Sequence, residues 1–97
     1  MEFMIKTNSG DWFNFPEDCG PEVFLPMDME ASVEANSEVA KVKCHESVYS
    51  FSMEEPGIQI VLESGSASEA EAKEFVKAVT TTVSKITMQD CNFIRYA

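Results

Sequence analysis

The clearest pattern in the chain is a stripe of apolar residues spaced three and four positions apart between Ser66 and Thr87. This spacing places side chains on one face of an α-helix, and charged residues fall on the other positions. The stripe consists of Ala72, Phe75, Val76, Val79, Val83 and Ile86. Two alternative capping boxes can begin the helix, Ser66 with Glu69 or Ser68 with Glu71. The pattern therefore predicts one long amphipathic helix over residues 66–87.

Elsewhere, apolar and polar residues alternate, which is typical of half-buried β-strands. Residues 2–7 and 12–15 flank the turn-forming stretch Asn8 to Asp11, and we predict that they pair as an N-terminal hairpin. Further strands are predicted over residues 38–45, 47–53, 58–63 and 91–96. Two of these are joined by Glu55-Pro56-Gly57, which has the proline and glycine order of a type II turn.

These elements predict a single α+β domain covering residues 1–97. An apolar helix stripe needs a sheet to pack against, so we expect an antiparallel sheet of about five strands with the helix across one face. The opposite sheet face is predicted to be open and mixed in character. Its expected members are Met4, Trp12, Lys43, His45, Ser50, Ser52, Gln59 and Val61. Such a face is either solvated or an interface.

A long connection, residues 16–37, separates the first strands from the rest and carries most of the charge imbalance. The chain has 17 acidic and 7 basic residues and a net charge of −10. Eight of the acidic residues and no basic residue lie between Lys6 and Lys41. Within the connection, residues 23–25 are predicted to pack on the core or form a brief edge strand, and residues 30–36 a short helical turn. Long connections of this kind in a compact domain are often functional.

Composition restricts the class of protein. A hydrophobic content of 44% predicts a folded chain, and the absence of a long apolar run predicts no membrane span. The N-terminal residues do not resemble a signal peptide, and three dispersed cysteines are typical of reduced thiols, so we expect a cytoplasmic protein. The negative charge disfavours direct binding of nucleic acid or anionic membranes.

Residues that carry catalytic or metal chemistry are sparse. His45 is the single histidine, and Cys19 or Cys91 are the thiols that would have to reach it in a nucleophilic site. Cys44 and His45 are adjacent in a predicted strand and would point to opposite faces, which does not suit one metal ion. We therefore expect no enzymatic activity, no cofactor and no metal site.

Two surfaces remain as candidates for binding. The first is the acidic connection, whose expected contacts are Glu17, Asp18, Glu22, Phe24, Asp28, Glu30 and Glu34. Its carboxylates would attract a basic protein partner and Phe24, Met27 and Met29 would supply apolar anchors, whereas the alternative is that the segment only keeps the chain in solution. The second is the open sheet face, where Met4, Trp12, His45 and Val61 would form a homodimer interface or a small-ligand groove.

In size, acidity and predicted architecture, the chain is similar to small bacterial and phage inhibitor and immunity proteins, which neutralise basic nucleases by presenting acidic surfaces. The likeness rests on composition and general shape, and no sequence motif takes part in it. It implies a non-enzymatic protein that docks its acidic loop on a basic partner. It assigns no role to an individual residue.

Overall fold

One antiparallel sheet of six strands packs against one α-helix, which confirms the predicted α+β class and adds a strand to the expected five. The computed structural model describes residues 1–35, 37–54 and 57–97. The strands are β1 (Glu2–Thr7), β2 (Ala31–Val33), β3 (Ala40–Cys44), β4 (Ser47–Glu54), β5 (Gly57–Ser64) and β6 (Cys91–Arg95). The helix α1 spans Glu69–Thr87, and a 3-10 helix spans Pro21–Phe24. Across the sheet the order is β2-β3-β4-β5-β1-β6. No helix in the described ranges has the length and apolar character needed to cross a membrane.

The two local hairpins follow the sequence pattern. In the β3–β4 hairpin, Cys44 lies opposite Ser47 and a two-residue turn begins at His45, whose φ of 56° is in the left-handed region. The β4–β5 hairpin also forms, although Glu55 and Pro56 of its predicted type II turn lie outside the described residues. Gly57 begins β5 at a point where a Cβ would collide with the Ile5 carbonyl oxygen of β1.

The predicted N-terminal hairpin is wrong, because both edges of β1 are occupied by other strands. Met4 lies opposite Gln59 of β5 on one side and opposite Ile94 of β6 on the other. A turn does follow β1, where Gly10 has a φ of 85° and its amide donates to the Thr7 carbonyl at 3.2 Å. After it the chain leaves the sheet, so residues 12–15 have no regular structure.

The helix begins at the second of the two capping boxes. The Glu71 amide donates to the Ser68 hydroxyl at 3.1 Å, and the Ser68 amide donates to the Glu71 carboxylate at 3.0 Å. The predicted stripe is buried from Ala72 to Val83 but is wrong at Ile86, which is 36% exposed. Thr87 is buried instead, and its hydroxyl donates to the Val83 carbonyl at 2.7 Å, which removes the cost of burying it.

One helix cannot cover this sheet. Six strands spaced about 4.8 Å apart span roughly 25 Å, whereas a helix with its side chains is about 10–12 Å across. The acidic connection covers the remainder: its 3-10 helix packs between α1 and β3 and buries Val23 and Phe24. Residues 31–33 form the edge strand β2 against β3, so the predicted helical turn at residues 30–36 is wrong. The connection is therefore part of the fold.

Candidate functional site

The acidic connection and the β2–β3 loop enclose a cleft of about 430 Å³. Its apolar wall consists of Phe15, Val23, Phe24, Val33, Val39, Ala40 and Met53. Val39 and Met53 are 47% and 49% exposed, so much of this wall faces solvent. Concave sites lined mainly by apolar side chains are typical of binding sites for ligands and for partner side chains. We take this cleft as the candidate functional site.

A series of aromatic rings holds the cleft wall against the sheet. Phe13 stacks on Phe15 with centroids 5.7 Å apart, and Phe15 meets Phe24 edge to face at 6.2 Å. Phe24 in turn stacks on Phe51 of β4 at 4.5 Å. Aromatic pairs in these geometries add about 0.5–1.5 kcal/mol beyond the area they bury. The wall is therefore an extension of the hydrophobic core.

Hydrogen bonds attach the middle of the acidic connection to α1. The Thr82 hydroxyl donates to the Leu25 carbonyl at 2.7 Å, and the Met27 amide donates to the Ala78 carbonyl at 3.1 Å. Leu25 and Met27 lie outside the sheet ladder, so these bonds satisfy backbone groups that would otherwise be unpaired near the core. They also explain why threonine, a mediocre helix former, occupies position 82.

Carboxylates border the cleft, and no lysine or arginine is among the described residues that line it. Glu34 and Glu38 are lining residues. Glu22 lies beside Gly20, whose amide donates to the Glu22 carboxylate at 3.0 Å. Hydrogen bonds from its own backbone amide and from that of Gly20 lower the pKa of Glu22. The border of the cleft is therefore negatively charged at neutral pH.

The structure divides the predicted partner-binding residues among three places. Five of them border the cleft or lie in the turn that leads to it: Glu17, Asp18, Glu22, Phe24 and Glu34. Asp28 lines a separate hollow against α1 that also contains Lys77. Glu30 lines a third hollow with Lys43, beside the β3–β4 turn. Each lysine weakens the local negative field, so the purely acidic border is at the cleft.

Phe24 is placed differently from the anchor that the sequence analysis expected. The side chain is 9% exposed and belongs to the hydrophobic core, where it stacks on Phe51. It presents part of one ring to the cleft and cannot insert into a partner. Phe24 therefore shapes the site as a wall residue. The other two expected anchors, Met27 and Met29, line the separate hollow with Asp28.

Trp12 does not lie on the open sheet face. It is 57% exposed and follows the turn after β1, where the side-chain amide of Gln89 holds its backbone. Gln89 donates to the Trp12 carbonyl at 3.0 Å and accepts from the Asn14 amide at 2.8 Å. Trp12 is thus placed beside the turn that ends α1.

The rest of the predicted sheet-face group is also separated. Met4 and Val61 do lie on the open face, in adjacent strands, with Met4 opposite Gln59 and Val61 opposite Glu2. His45 instead occupies the β3–β4 turn at a positive φ. The expected four-residue constellation is therefore not assembled, and two of its members remain on the face.

Val39 and Met53 are cleft residues that the sequence analysis did not select. In the alternation of the predicted strands 38–45 and 47–53, Val39 falls on the same side as Lys43, and Met53 falls on the opposite side, which α1 was expected to cover. Met53 is near the end of β4, where α1 does not reach, so its inward side chain forms part of an open wall. The sequence did contain a signal for such residues. It predicts one helix, which is narrower than the predicted sheet, so some residues on the helix side of the sheet have to be covered by another segment or remain exposed.

Neither of the two candidate thiols lies near His45. Cys91 is on β6, four strands from β3 across the sheet. Cys19 lines the cleft near Ala40, whereas His45 follows the other end of β3, about 17 Å away at 3.4 Å per residue. Cys44 is buried, donates to the Glu30 carbonyl at 3.6 Å, and its pKa is raised by burial. A thiol in that state is a poor nucleophile.

No group of three or more metal-ligating side chains comes together among residues 1–35, 37–54 and 57–97. Comparisons with protein-family models, with curated proteins and with solved structures gave no match. The candidate site therefore has to be interpreted from its own chemistry, which is an apolar cleft bordered by carboxylates.

Proposed function

We propose that this protein is a non-enzymatic protein-binding module that holds a basic segment of a partner in the acid-bordered cleft. The observation that carries the proposal is the combination of an exposed apolar wall, including Val39 and Met53, with the carboxylates of Glu22, Glu34 and Glu38. An inhibitor or immunity-type role, in which the module blocks a basic surface of its partner, is the form of this function that we favour.

The charges provide attraction and selectivity. The protein carries a net charge of −10, which repels nucleic acid and steers basic proteins toward it at low ionic strength. Carboxylates at the rim of an interface contribute mainly to the association rate and to the choice of partner. The partner segment should therefore contain lysine or arginine on both sides of its anchor.

The apolar wall provides affinity. A cleft of about 430 Å³ has room for a large side chain of the partner. Complete burial of a leucine or phenylalanine side chain is worth roughly 1.5–3 kcal/mol, which corresponds to at least tenfold in the dissociation constant. Because the aromatic contacts fix the wall in advance, little of this energy is lost in ordering the site.

We place this function in the cytosol. Cys19, Cys44 and Cys91 are all free thiols, which suits a reducing compartment. We expect no cofactor, and we expect no direct contact with nucleic acid or with a membrane surface.

Synthetic heptapeptides test the proposal without knowledge of the natural partner. The anchored basic peptide has a central phenylalanine between two runs of lysine, the plain basic peptide has lysine throughout, and the anchored acidic peptide has glutamate in place of lysine. Each is titrated into isotopically labelled protein and followed by NMR. The anchored basic peptide should shift the amides of residues 15–24 and 33–40 and bind about tenfold more tightly than the plain basic peptide. The anchored acidic peptide should not bind, and added salt should weaken the complex of the anchored basic peptide.

Two variants complete the experiment. Val39→Asp should remove the advantage of the anchored basic peptide over the plain one, because it places a charge in the apolar wall. Glu46→Lys is the matched control, since it changes charge in the β3–β4 turn at the other end of β3 and should leave the advantage intact. The proposal fails if the two basic peptides bind equally, or if the shifted amides lie outside the cleft.

A further inference from the structure

Among the described residues, no helix packs on the sheet face opposite α1, and the apolar residues of that face are concentrated on β5, β1 and β6. The alternation of each strand places Met4 and Val61 on this face, with Ile94 of β6 directly opposite Met4. Val61 lies opposite Ser50 on its other side. Ile94 is 46% exposed and Tyr96, which follows β6, is 45% exposed. Together Met4, Val61, Ile94 and Tyr96 form what we call the face patch.

Several polar groups that border the face patch are already paired with one another or with Tyr96. The side-chain amide of Gln59 donates to the Glu2 carboxylate at 3.0 Å and to the Tyr96 hydroxyl. The Ser52 hydroxyl donates to the Gln59 carbonyl oxygen at 3.3 Å. A surface whose polar groups are satisfied internally loses little when water is removed from it. This property suits the centre of an interface.

The charge on the open face favours a second copy of this chain as the partner that covers it. The open face carries Glu2, Glu54 and Glu63 against Lys6, Lys41 and Lys43, and Lys41 is paired with Glu63 at 3.1 Å. The face is therefore close to neutral on a chain of net charge −10. A strongly basic or acidic partner would gain little there, whereas two copies of this chain meet less repulsion through this face than through their acidic surfaces, most of all at moderate salt.

The dimensions of the face are adequate for a dimer. Five strands of five or more residues and the three-residue β2, spaced about 4.8 Å apart, give a flat area of roughly 450 Å² before the protrusion of the side chains is counted. Standard interfaces bury about 800 Å² of accessible surface per partner, which is of the same order. Sheets that pack face to face are a common arrangement, with the layers about 10 Å apart.

We propose that two copies of the protein pack face to face through their open sheets, about a two-fold axis, with the face patch at the centre. Most of the cleft wall, including Val23, Phe24 and Met53, is on the other side of the sheet, and the cleft lies toward β3 and β4, away from the face patch, so it stays accessible in both copies. The dimer is then bivalent, and a partner with two basic segments, or an oligomeric partner, would bind with increased avidity. This inference does not depend on the function of the cleft.

Sedimentation equilibrium of the full chain from 1 to about 500 µM tests the dimer, since contacts of this size give micromolar or tighter association. The wild type should sediment at twice the chain mass. Ile94→Glu should raise the dissociation constant about 100-fold or more, because each dimer then buries two unpaired carboxylates, so the variant should be monomeric through the lower part of this range. Ile94→Thr, which keeps strand propensity, should weaken the dimer about tenfold.

Met88→Glu is the matched control. Met88 is apolar and 91% exposed, but it lies at the end of α1 and away from the open face, so this variant should dimerise as the wild type does. Circular dichroism verifies that each variant is folded, and Ile94→Thr decides the outcome if Ile94→Glu is not. A monomeric wild type, a dimer that survives Ile94→Thr without weakening, or a dimer lost in Met88→Glu would each overturn the proposal.

Discussion

Replacement of Phe24 by alanine measures whether the acidic connection belongs to the hydrophobic core. Phe24 is 9% exposed, stacks on Phe51 at 4.5 Å and meets Phe15 edge to face at 6.2 Å. Substitutions of phenylalanine by alanine in cores cost roughly 3–5 kcal/mol. Because Phe24 lies beside an open cleft that can collapse toward the void, we expect Phe24→Ala to cost about 3 kcal/mol, the lower end of that range.

Trp12→Ala is the control, since Trp12 is also a large aromatic residue of the same part of the chain but is 57% exposed. It should cost less than about 1 kcal/mol. Phe24→Leu should cost roughly 1 kcal/mol, because it keeps most of the volume and loses the ring contacts.

Urea denaturation followed by far-UV circular dichroism provides the free energies of unfolding. Tryptophan fluorescence is unsuitable because Trp12 is the single tryptophan and is itself substituted. The midpoint should fall for Phe24→Ala with the slope unchanged, as expected when stability alone is altered. A cost below about 1 kcal/mol for Phe24→Ala, or equal costs for Phe24→Ala and Trp12→Ala, would refute the assignment of the connection to the core.

Three further substitutions probe the ends of α1. Met88→Gly should stabilise the protein by roughly 1 kcal/mol in urea denaturation, because Met88 has a φ of 58° and is 91% exposed. Gly65→Ala should cost more than about 2 kcal/mol and lower the melting temperature, since Gly65 has a φ of 107° and a Cβ there would lie 2.6 Å from the Glu46 carbonyl oxygen. Ser68→Ala should cost about 1 kcal/mol at neutral pH. Hydrogen bonds from the Ser68 amide and then from its hydroxyl lower the pKa of Glu71, so the stabilisation by the ionised carboxylate is present above pH 4.5 and is lost as the pH falls through the lowered pKa. The alanine variant keeps the amide of residue 68, and the bond from the Glu71 amide to the Ser68 hydroxyl does not titrate. Unfolding curves recorded between pH 7 and pH 3 should therefore show the wild type more stable than Ser68→Ala throughout, with both losing stability at the acid end.

The elements that were predictable from sequence are those whose information is local. The helix is marked by the spacing of its apolar residues and by its capping box. The β3–β4 and β4–β5 hairpins are marked by alternating apolar and polar residues on both sides of a short connection. The short turn after β1 was equally local and does form. The prediction that was wrong is that the strands on either side of this turn pair with each other as a hairpin.

The pairing of β1 depends on strands far along the chain. Its partners β5 and β6 lie about 55 and 90 residues away in sequence, and they bury Phe3 and Ile5 completely in the centre of the sheet. Residues 12–15 would have offered β1 one partner at an edge. A position between two strands removes more of the apolar surface of β1 from water than a position at the edge of a hairpin does. The local sequence pattern does not show which of these two positions β1 takes.

The candidate site was only partly visible in the sequence for a similar reason. Acidity marked the segment that borders the cleft, but the apolar wall draws Phe15, Val33, Val39 and Met53 from three separate parts of the chain. None of these residues stands out by spacing, since each satisfies the alternation or packing of its own segment. Their convergence follows from the order of strands in the sheet, which the sequence pattern did not determine.

The acidic connection combines two tasks on different side chains, so the tasks can be separated by substitution. Its apolar residues, such as Val23 and Phe24, cover the part of the sheet that α1 does not reach. Its carboxylates, such as Glu17 and Glu22, are exposed and bury no area. Changing the carboxylates should therefore alter association with a basic partner while leaving the fold intact, whereas changing the apolar residues should weaken the fold and the cleft together. Glu22, Glu34 and Glu38 border the apolar cleft, and no lysine or arginine is among its described lining residues. Solubility alone does not require this arrangement, which is why it supports the proposed binding role.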